Sequence, residues 1–462
     1  KTDEIIVVEY LSLLLFIIII AILLMGIPVA FALAGTSLIF AFIGIIFGVF
    51  EEAFLMGLPN RIYGIMTNTT LLAIPLFIFM GITLEKSKIA ENLLISLSNL
   101  FSSLRGGLAI AVTLIGMLLA ASTGIVGATV VTMGLLALPS MQKNGYSPEL
   151  SAGTICASGT LGQIIPPSIV LVMLGDVISS SYQFSQLNQG IYSPRTVSVG
   201  DLFAGALIPG LILVVMYILY ILIYSHFNPE SPKAKNADDN KQSLGKILSV
   251  LVAPLTLIIL VLGSIIMGVA TPTEAAGIGA SGALVISYFR DTLDMKQLSD
   301  ISVSTLKITS MVFFILIGAS IFSLVFRGYS GDELIHNFLT SLPGEKVSAI
   351  LITMLVIFIL GFILDFIEIT FVVVPIIAPV LLQMGFDPIW LGIMIAINLQ
   401  TSFLTPPFGF ALFYLRGVAP QSIKTQQIYR GVIPFVILQI LMLFLLAVFP
   451  EIVTWLPNLI YK

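Results

Sequence analysis

The sequence carries little charge. Only 10% of its 462 residues are Asp, Glu, Lys or Arg, whereas ordinary soluble domains carry about 25%. Hydrophobic residues make up 58%. A soluble core cannot enclose this much apolar surface, because even a large domain keeps a polar exterior. The composition therefore argues against a soluble enzyme and predicts a protein surrounded by lipid.

Residues that support catalysis or metal binding are also scarce. Cys156 is the single cysteine, which excludes an intramolecular disulfide and a cysteine-based zinc site. We interpret it as a small packing residue. The two histidines, His226 and His336, fall in predicted loops, where we expect no catalytic or metal role. Neither a phosphate-binding glycine loop nor a catalytic triad pattern is visible, so we predict that the chain is not an enzyme and needs no cofactor.

The charge balance gives no sign of a nucleic-acid partner. The net charge is −4, and no basic patch is visible. Long uncharged runs, for example between Arg430 and Glu451, are long enough to cross a bilayer as helices. Runs such as 11–24 lack the alternation of membrane strands, and a helix satisfies its own backbone in lipid. We predict an all-α polytopic membrane protein with about ten to twelve crossings or half-crossings.

The chain contains an internal duplication. Prolines and glycines fix backbone shape, and several recur after 240 residues: Pro139, Gly145, Pro148 and Pro166-Pro167 return as Pro379, Gly385, Pro388 and Pro406-Pro407. We predict one repeat over 1–225 and a second over 247–462, separated by a hydrophilic linker at 226–246. Duplicated halves are typical of transporters, and an odd number of crossings per half would make the repeats inverted, as we expect.

The first repeat contains an uncharged stretch that is too long for one crossing and has small residues, not an exposed polar turn, at its centre. The second repeat contains a corresponding long apolar stretch, but its turn is charged. We predict re-entrant hairpins at about 107–139 and 347–382, since such backbone is tolerated where it is buried in protein or lines a cavity. The tip of the second hairpin carries Asp365 and Glu368. Three residues apart, they would share one face of a helix.

A proline pair interrupts the apolar segment that follows each hairpin, and we predict broken helices at about 150–178 and 389–415. Proline removes a backbone donor and frees carbonyls upstream. Free carbonyls with neighbouring hydroxyls suit a dehydrated Na⁺, and half-helix N-termini suit a carboxylate. The structural alternative is that the prolines only kink the helices while the hydroxyls satisfy freed backbone groups. Because the break is duplicated, we favour an ion or substrate site.

Three further charged residues have structural interpretations. Glu274 follows Pro272 at the start of a predicted helix, where the helix dipole favours a carboxylate. Arg327 and Arg416 lie near the ends of predicted spans and are interpreted as interfacial anchors.

The segments 271–276, 162–168 and 405–409, in this spacing and with the small-residue hairpin before them, are similar to a known family. The chain resembles the large permease subunit of TRAP (tripartite ATP-independent periplasmic) transporters over essentially its whole length. The polar stretch 179–198 departs from that pattern, because it is longer than we expect at this point.

The resemblance implies a sodium-coupled symporter of the bacterial cell inner membrane that imports an organic acid anion, a carboxylate. It implies an elevator mechanism, in which a transport domain with both hairpins and both broken helices slides against a scaffold. The implied partners are a small four-helix membrane subunit and a periplasmic substrate-binding protein. A stand-alone carrier that couples carboxylate transport to Na⁺ or H⁺ without a binding protein remains the alternative.

By the family pattern, each Na⁺ site lies at a hairpin tip with its adjoining broken helix. The first implied set is Ser122, Thr123, Gly124, Ser158, Gly159, Thr160 and Gly162. The second is Asp365, Glu368, Thr370, Gln400, Thr401, Ser402 and Thr405. Residues beside the proline pairs are the candidate substrate-binding set: Gln163, Pro166, Pro167, Asn398, Pro406 and Pro407. Na⁺ is the only metal ion expected, as the coupling ion.

Overall fold

The computed structural model describes residues 2–87, 89–101, 103–228, 244–290 and 292–461. Most of the predicted linker at 226–246 lies outside these ranges. The side chains of Ser122 and Thr123 also lie outside the description, although their backbone is included.

The regular elements in the described part of the chain are all helices, as predicted. Short 3₁₀ segments occur at Glu52–Gly57 and Leu161–Gln163, and Ile369–Val373 forms a π-helical turn. In chain order the α-helices are α1 (Thr2–Leu24), α2 (Val29–Ile46), α3 (Leu58–Met66), α4 (Ala73–Lys86), α5 (Ile89–Leu100), α6 (Gly107–Thr123), α7 (Val126–Lys143), α8 (Pro148–Thr160), α9 (Ile169–Asn188), α10 (Val199–Phe227), α11 (Leu244–Ile266), α12 (Pro272–Phe289), α13 (Met295–Gly328), α14 (Gly331–Thr340), α15 (Glu345–Leu360), α16 (Phe366–Glu368), α17 (Val374–Gln383), α18 (Pro388–Leu404), α19 (Phe410–Val418), α20 (Thr425–Val448) and α21 (Glu451–Tyr461).

Several helices have the length and composition of membrane spans. Within the described residues, five qualify: Val29–Ile46, Val199–Phe227, Met295–Gly328, Phe366–Gln383 and Thr425–Val448. Shorter apolar helices occur at Tyr10–Leu24, Gly107–Ala121, Val252–Ile266 and Pro388–Leu404. The helices agree with a polytopic membrane protein. Inverted repeats and the division into scaffold and transport domain remain predictions.

The helices form two compact units, and each unit takes segments from both halves of the sequence. The first unit comprises the segment that ends at Leu71, together with Met173–Ser198 and Lys307–Leu391. The second unit comprises Leu72–Val172, Val199–Leu306 and the segment from Gly392 onward.

Helix α8 is the centre of the second unit, where it packs against α6, α7, α19 and α20. It begins where Ser147 Oγ accepts a hydrogen bond from the Leu150 N–H (3.2 Å), with Pro148 in its first turn. Every residue from Leu150 to Thr160 is buried. A Cβ added to Gly153 would lie 2.1 Å from the carbonyl oxygen of Gly431 on α20. Small residues therefore allow the backbone of the central helix to contact the backbone of a neighbouring helix.

In the first unit, a tyrosine ties the end of α13 to α2. The Tyr329 hydroxyl donates a hydrogen bond to the Phe40 carbonyl oxygen (2.7 Å), and the Tyr329 and Phe50 ring centroids are 5.0 Å apart. Gly44 leaves the space for this ring, because an added Cβ would lie 2.1 Å from the Tyr329 hydroxyl oxygen. Elsewhere in this unit, α14 contacts α1, α15 and α17.

The structure decides three of the smaller predictions. Cys156 is fully buried and free, which confirms its packing role. Glu274 is also confirmed as a helix-capping residue: its Oε2 accepts from the Thr271 N–H (2.8 Å), and its own N–H donates to Thr271 Oγ1 (3.3 Å). The prediction that both histidines lie in loops was wrong. His226 lies in the last turn of α10, and His336 lies in α14, because polar helix ends read as loops by hydropathy.

Candidate functional site

The first small-residue segment forms two helices, α6 and α7, which pack against each other and are joined by Gly124 and Ile125. Gly124 has φ +61°, a left-handed conformation that favours glycine. A Cβ at this position would lie 3.0 Å from Ile169 Cγ1. Glycine therefore allows the connection to approach the start of α9.

The first proline pair lies in a break between two helices. α8 ends at Thr160, the 3₁₀ turn Leu161–Gln163 follows, and α9 begins only at Ile169. Ser168 Oγ donates toward the carbonyl oxygens of Gly162 (2.8 Å) and Gln163 (3.2 Å). This hydroxyl therefore stabilises backbone groups that the break leaves without helical partners.

The second proline pair lies in a corresponding break. α18 ends at Leu404, and α19 begins at Phe410. The Thr405 hydroxyl donates to the Thr401 carbonyl oxygen (2.7 Å). A Cβ added to Gly409 would lie 2.5 Å from the Phe403 carbonyl oxygen, so the chain turns tightly here.

The hydroxyls beside the breaks donate to their own helices. Oγ1 of Thr160 donates to the Ala157 carbonyl oxygen (2.9 Å), and Oγ1 of Thr401 donates to that of Ile397 (2.7 Å). Ser158 and Ser402 make the same kind of bond, and all four side chains are fully buried. Such bonds are expected if the prolines only kink the helices and the hydroxyls satisfy the freed backbone groups. They are also compatible with a cation, because a hydroxyl that donates its proton keeps lone pairs for coordination.

Two of the predicted site residues meet across the broken helices of the second unit. Gln400 Nε2 donates to Thr160 Oγ1 over 3.5 Å, a long hydrogen bond. The two residues are 240 positions apart, which is the offset of the repeated prolines. A contact between equivalent positions is expected wherever two copies are related by a two-fold axis. The contact therefore brings together the first and second implied sodium sets at one point.

Gln163 is the clearest candidate for a ligand contact among the predicted substrate residues. It is fully buried, and neither its Nε2 nor its Oε1 has a partner within the described part of the chain. Gln400 Oε1 is unpartnered in the same sense. Leaving such a group unsatisfied costs about 1–3 kcal/mol, and an orphaned amide calls for a bound ion, water or substrate. Asn398 is buried as well, but it has an interaction partner.

The sequence interpretation missed two residues of the same buried cluster. Gln439 Nε2 on α20 donates to the Tyr217 hydroxyl on α10 (2.7 Å), and both side chains are fully buried. Gln400 also approaches the Tyr217 hydroxyl. A single amide within the uncharged run of α20 was an available signal, because polar groups in membrane helices are costly and tend to be functional.

The carboxylates of the second predicted tip form a capping box at the start of α16. The Asp365 N–H donates to Glu368 Oε2 (3.0 Å), and Asp365 Oδ1 accepts from the Phe366 N–H (2.6 Å). Thr370, just beyond, is fully buried with an unpartnered hydroxyl. These residues belong to the first unit, whereas 400–405 belong to the second. Their joint role in a sodium site stays a prediction.

Clusters of metal-binding side chains are not found among the described residues: no three His, Cys, Asp or Glu lie close enough to hold one ion. Hydroxyl, amide and carbonyl oxygens are therefore the groups that the breaks can offer to a cation.

Arg416, interpreted from the sequence as an interfacial anchor, makes a hydrogen bond to the backbone. Its Nη1 donates to the Ile423 carbonyl oxygen (2.6 Å), which gives that arginine a structural bond.

Two solved transporter structures resemble this fold. The Alcanivorax borkumensis YdaH transporter aligns with a TM-score of 0.60 and 16% identity, over 88% of this chain and 90% of that one. Neisseria gonorrhoeae MtrF, described as illuminating a class of antimetabolite efflux pumps, aligns with a TM-score of 0.59 and 12% identity, over 85% of this chain and 83% of that one. At these identities the likeness shows the fold alone.

Sequence relatives are closer. The C4-dicarboxylate TRAP transporter large permease protein DctM of Vibrio cholerae is 30% identical, over 97% of both chains. The sialic acid TRAP transporter large permease protein SiaM of the same species is 28% identical, over 94% of this chain and 95% of that protein. The isethionate TRAP transporter permease protein DctMQ of Oleidesulfovibrio alaskensis is 29% identical, over 83% of this chain and 57% of that protein. These relatives are transporter permeases, not enzymes.

The family model described as "Tripartite ATP-independent periplasmic transporter, DctM component" matches residues 16–452. This match covers nearly the whole chain and agrees with the resemblance of the proline-pair segments. The chain therefore belongs to the TRAP transporter family, as a large permease subunit.

Proposed function

We propose that this permease is a sodium-coupled symporter subunit of the bacterial inner membrane that imports an organic acid anion. A periplasmic binding protein would deliver the anion, and a small membrane subunit would complete the assembly. The observation that carries the proposal is the buried polar cluster at the two helix breaks. It places hydroxyl lone pairs of Thr160 beside Gln400, with the unpartnered amide of Gln163 in the same unit.

The chemistry of this cluster suits a coupling ion. Na⁺ exchanges its hydration shell for oxygen ligands, and interrupted helices supply carbonyl oxygens without side-chain charge. Gln400 Oε1 and Gln163 Oε1 are buried acceptors that need a hydrogen-bond donor or a cation as partner. A bound Na⁺ would supply that partner and would order the breaks before the anion binds.

The relatives support the class of transported solute. Their names refer to C4-dicarboxylate, sialic acid and isethionate, which are all organic anions. Helix N-termini attract negative groups, and each break leaves a helix beginning beside it, at Ile169 and at Phe410. Alternating access by an elevator movement remains part of the proposal, supported by the duplicated breaks.

The proposal is tested by the thermal stability of the detergent-purified chain in NaCl, KCl and choline chloride at equal ionic strength. A ligand that binds only the folded state stabilises it by about 2.7 kcal/mol at a hundred times its Kd. We expect a saturable rise in Tm with Na⁺ alone. Equal melting in the three salts would contradict sodium coupling, and the same assay across pH would then test proton coupling.

A further inference from the structure

A cavity of about 440 Å³ lies within the first unit. It is lined by α3 and the turn that follows it, α9, α13, and the π-helical turn with α17. This volume falls within the range of about 300–1,000 Å³ that is usual for small-molecule sites. The cavity contains none of the residues that the sequence predicted to bind substrate or sodium.

Two arginines line this cavity, Arg61 from α3 and Arg327 from the last turn of α13. Both are half-buried. The guanidinium of Arg327 lies 5.2 Å from the ring centroid of Phe184. Within the described ranges, neither arginine forms an ion pair with a carboxylate. Burial and the positive charge of Arg327 lower the pKa of Arg61, as expected for two cations that line one cavity.

The acidic residue of the cavity does not neutralise the arginines. Asp176 Oδ1 accepts a hydrogen bond from Asn68 Nδ2 (2.9 Å). Asn68 is itself fixed, because its Oδ1 accepts from the N–H groups of Thr70 (2.9 Å) and Leu71 (3.4 Å). Asp176 therefore has a neutral hydrogen-bond partner, and two arginines against one aspartate leave the cavity formally positive.

The negative charges nearby lie in a second cavity, of about 360 Å³, which shares Arg327 and Phe184 with the first. It is lined by Asp332 and Glu333. An anion would therefore be favoured on the side of Arg327 that faces Arg61 and disfavoured on the other side.

We infer that the first cavity binds the carboxylate of a small organic acid between Arg61 and Arg327, with the carbon skeleton against Ile65, Leu316 and Phe371. The planar guanidinium matches a carboxylate through paired hydrogen bonds, which a lysine does not offer. The inference rests on the proposed function and deepens it, because it assigns a place to the acidic group of the solute. It also replaces the interpretation of Arg327 as an interfacial anchor.

The test measures the rates at which anionic and cationic thiol reagents of similar size modify cysteines placed in the cavity. Ser320→Cys and Ser181→Cys, on α13 and α9, each place one thiol in the cavity wall. Cys156→Ala removes the buried native thiol from the background. Each variant reacts with the anionic 2-sulfonatoethyl methanethiosulfonate or with the cationic 2-(trimethylammonium)ethyl analogue, and each rate is divided by that of a free thiol.

We expect the normalised rates to favour the anionic reagent by about tenfold, the lower end of the range for electrostatic focusing. Arg61→Gln and Arg327→Gln should each reduce this preference. Arg430→Gln is the matched control: it removes an exposed arginine outside the cavity and should leave the preference unchanged. A normalised ratio near one at both cysteines, or a ratio unaffected by both cavity variants, overturns the inference.

A competition step tests the carboxylate assignment. Disodium succinate, sodium N-acetylneuraminate and sodium isethionate at millimolar concentration are compared with NaCl at equal ionic strength. Slower anionic modification with succinate or N-acetylneuraminate supports a carboxylate site; no slowing by either overturns it. The assay needs neither a sodium gradient nor a binding protein. Its failure would leave sodium coupling intact, and a failure of sodium to stabilise the chain would leave this result intact.

Discussion

The buried Thr160 hydroxyl is both a hydrogen-bond donor and a hydrogen-bond acceptor. It donates to its own helix at Ala157 and accepts from Gln400, so its oxygen marks the point where the broken helices meet. A cation at this point would use the oxygen without breaking the bond to the helix.

Thr160→Val should therefore abolish the sodium-specific rise in Tm while changing the stability without sodium by about 1 kcal/mol, the usual net value of one hydrogen bond. Valine keeps the shape of the side chain and replaces the hydroxyl with a methyl group. The measurement is thermal unfolding across a NaCl titration, with KCl at matched ionic strength.

Thr154→Val is the matched control on the same helix. Thr154 is also fully buried, and its hydroxyl has no partner among the described residues, so its removal should be neutral or stabilising. It should leave the sodium response intact. Equal sodium responses in the Thr160 variant and in this control would remove Thr160 from the sodium site.

Residues beside the proline pairs could be proposed as site residues from the sequence, because a proline pair within a span predicts carbonyl groups without helical partners. Gln163 was proposed in this way. Arg61 was not, because nothing in its own neighbourhood distinguishes it from an interfacial arginine. Its role depends on Arg327 and Asp176, which come from distant parts of the chain.

Helix α8 depends on backbone contact with α20. A glycine on each helix allows this contact: a Cβ on Gly153 would lie 2.1 Å from the Gly431 carbonyl oxygen, and one on Gly431 would lie 2.1 Å from the Glu149 carbonyl oxygen. Close approach through small residues is a common way for membrane helices to associate, because apolar burial alone does not distinguish protein from lipid.

Gly153→Ala should lower stability by about 1–3 kcal/mol, since the added methyl group meets backbone and the helices must separate. Thermal unfolding followed by tryptophan fluorescence measures the loss. Gly263→Ala, on α11, is the control: an added Cβ there meets nothing within 4 Å, and alanine in a helix interior gains about 0.5–1 kcal/mol over glycine. A melting temperature for Gly153→Ala equal to that of the control would contradict the contact.

At the level of elements, the breaks after Thr160 and Leu404 fall where the proline pairs predict an interruption. Helix α14 was missed, because a short amphipathic helix between apolar ones resembles a loop in hydropathy. The capping box formed by Asp365 and Glu368 was not predicted either, because the spacing of two acidic residues does not show which backbone N–H groups their carboxylates accept from.

The whole molecule is organised across its sequence halves. Each compact unit draws segments from both halves of the sequence, so neither half corresponds to one unit. Hydropathy identifies helices one at a time and contains no information on such long-range grouping. This is why the cavity of the first unit had no counterpart among the sequence predictions.

Uptake into proteoliposomes tests the proposed function as a whole. With the small membrane subunit and the binding protein present, we expect accumulation of a labelled organic anion only under an inward Na⁺ gradient. An ionophore that dissipates this gradient should end it, because the ion gradient supplies the driving force. Accumulation without the binding protein would favour the stand-alone carrier, and accumulation driven by a proton gradient would contradict sodium coupling.

The contact between Thr160 and Gln400 also has a consequence for the origin of the chain. If the predicted repeats derive from one duplicated gene, the ancestor had a single repeat, and in a pair of identical subunits this position would have faced its own copy across the dimer axis. Such a position requires a side chain that both donates and accepts, as a hydroxyl and an amide do. Gene fusion removes that requirement. Gln163, whose counterpart 240 residues later is Phe403, shows the resulting asymmetry: one half carries an amide where the other carries a ring.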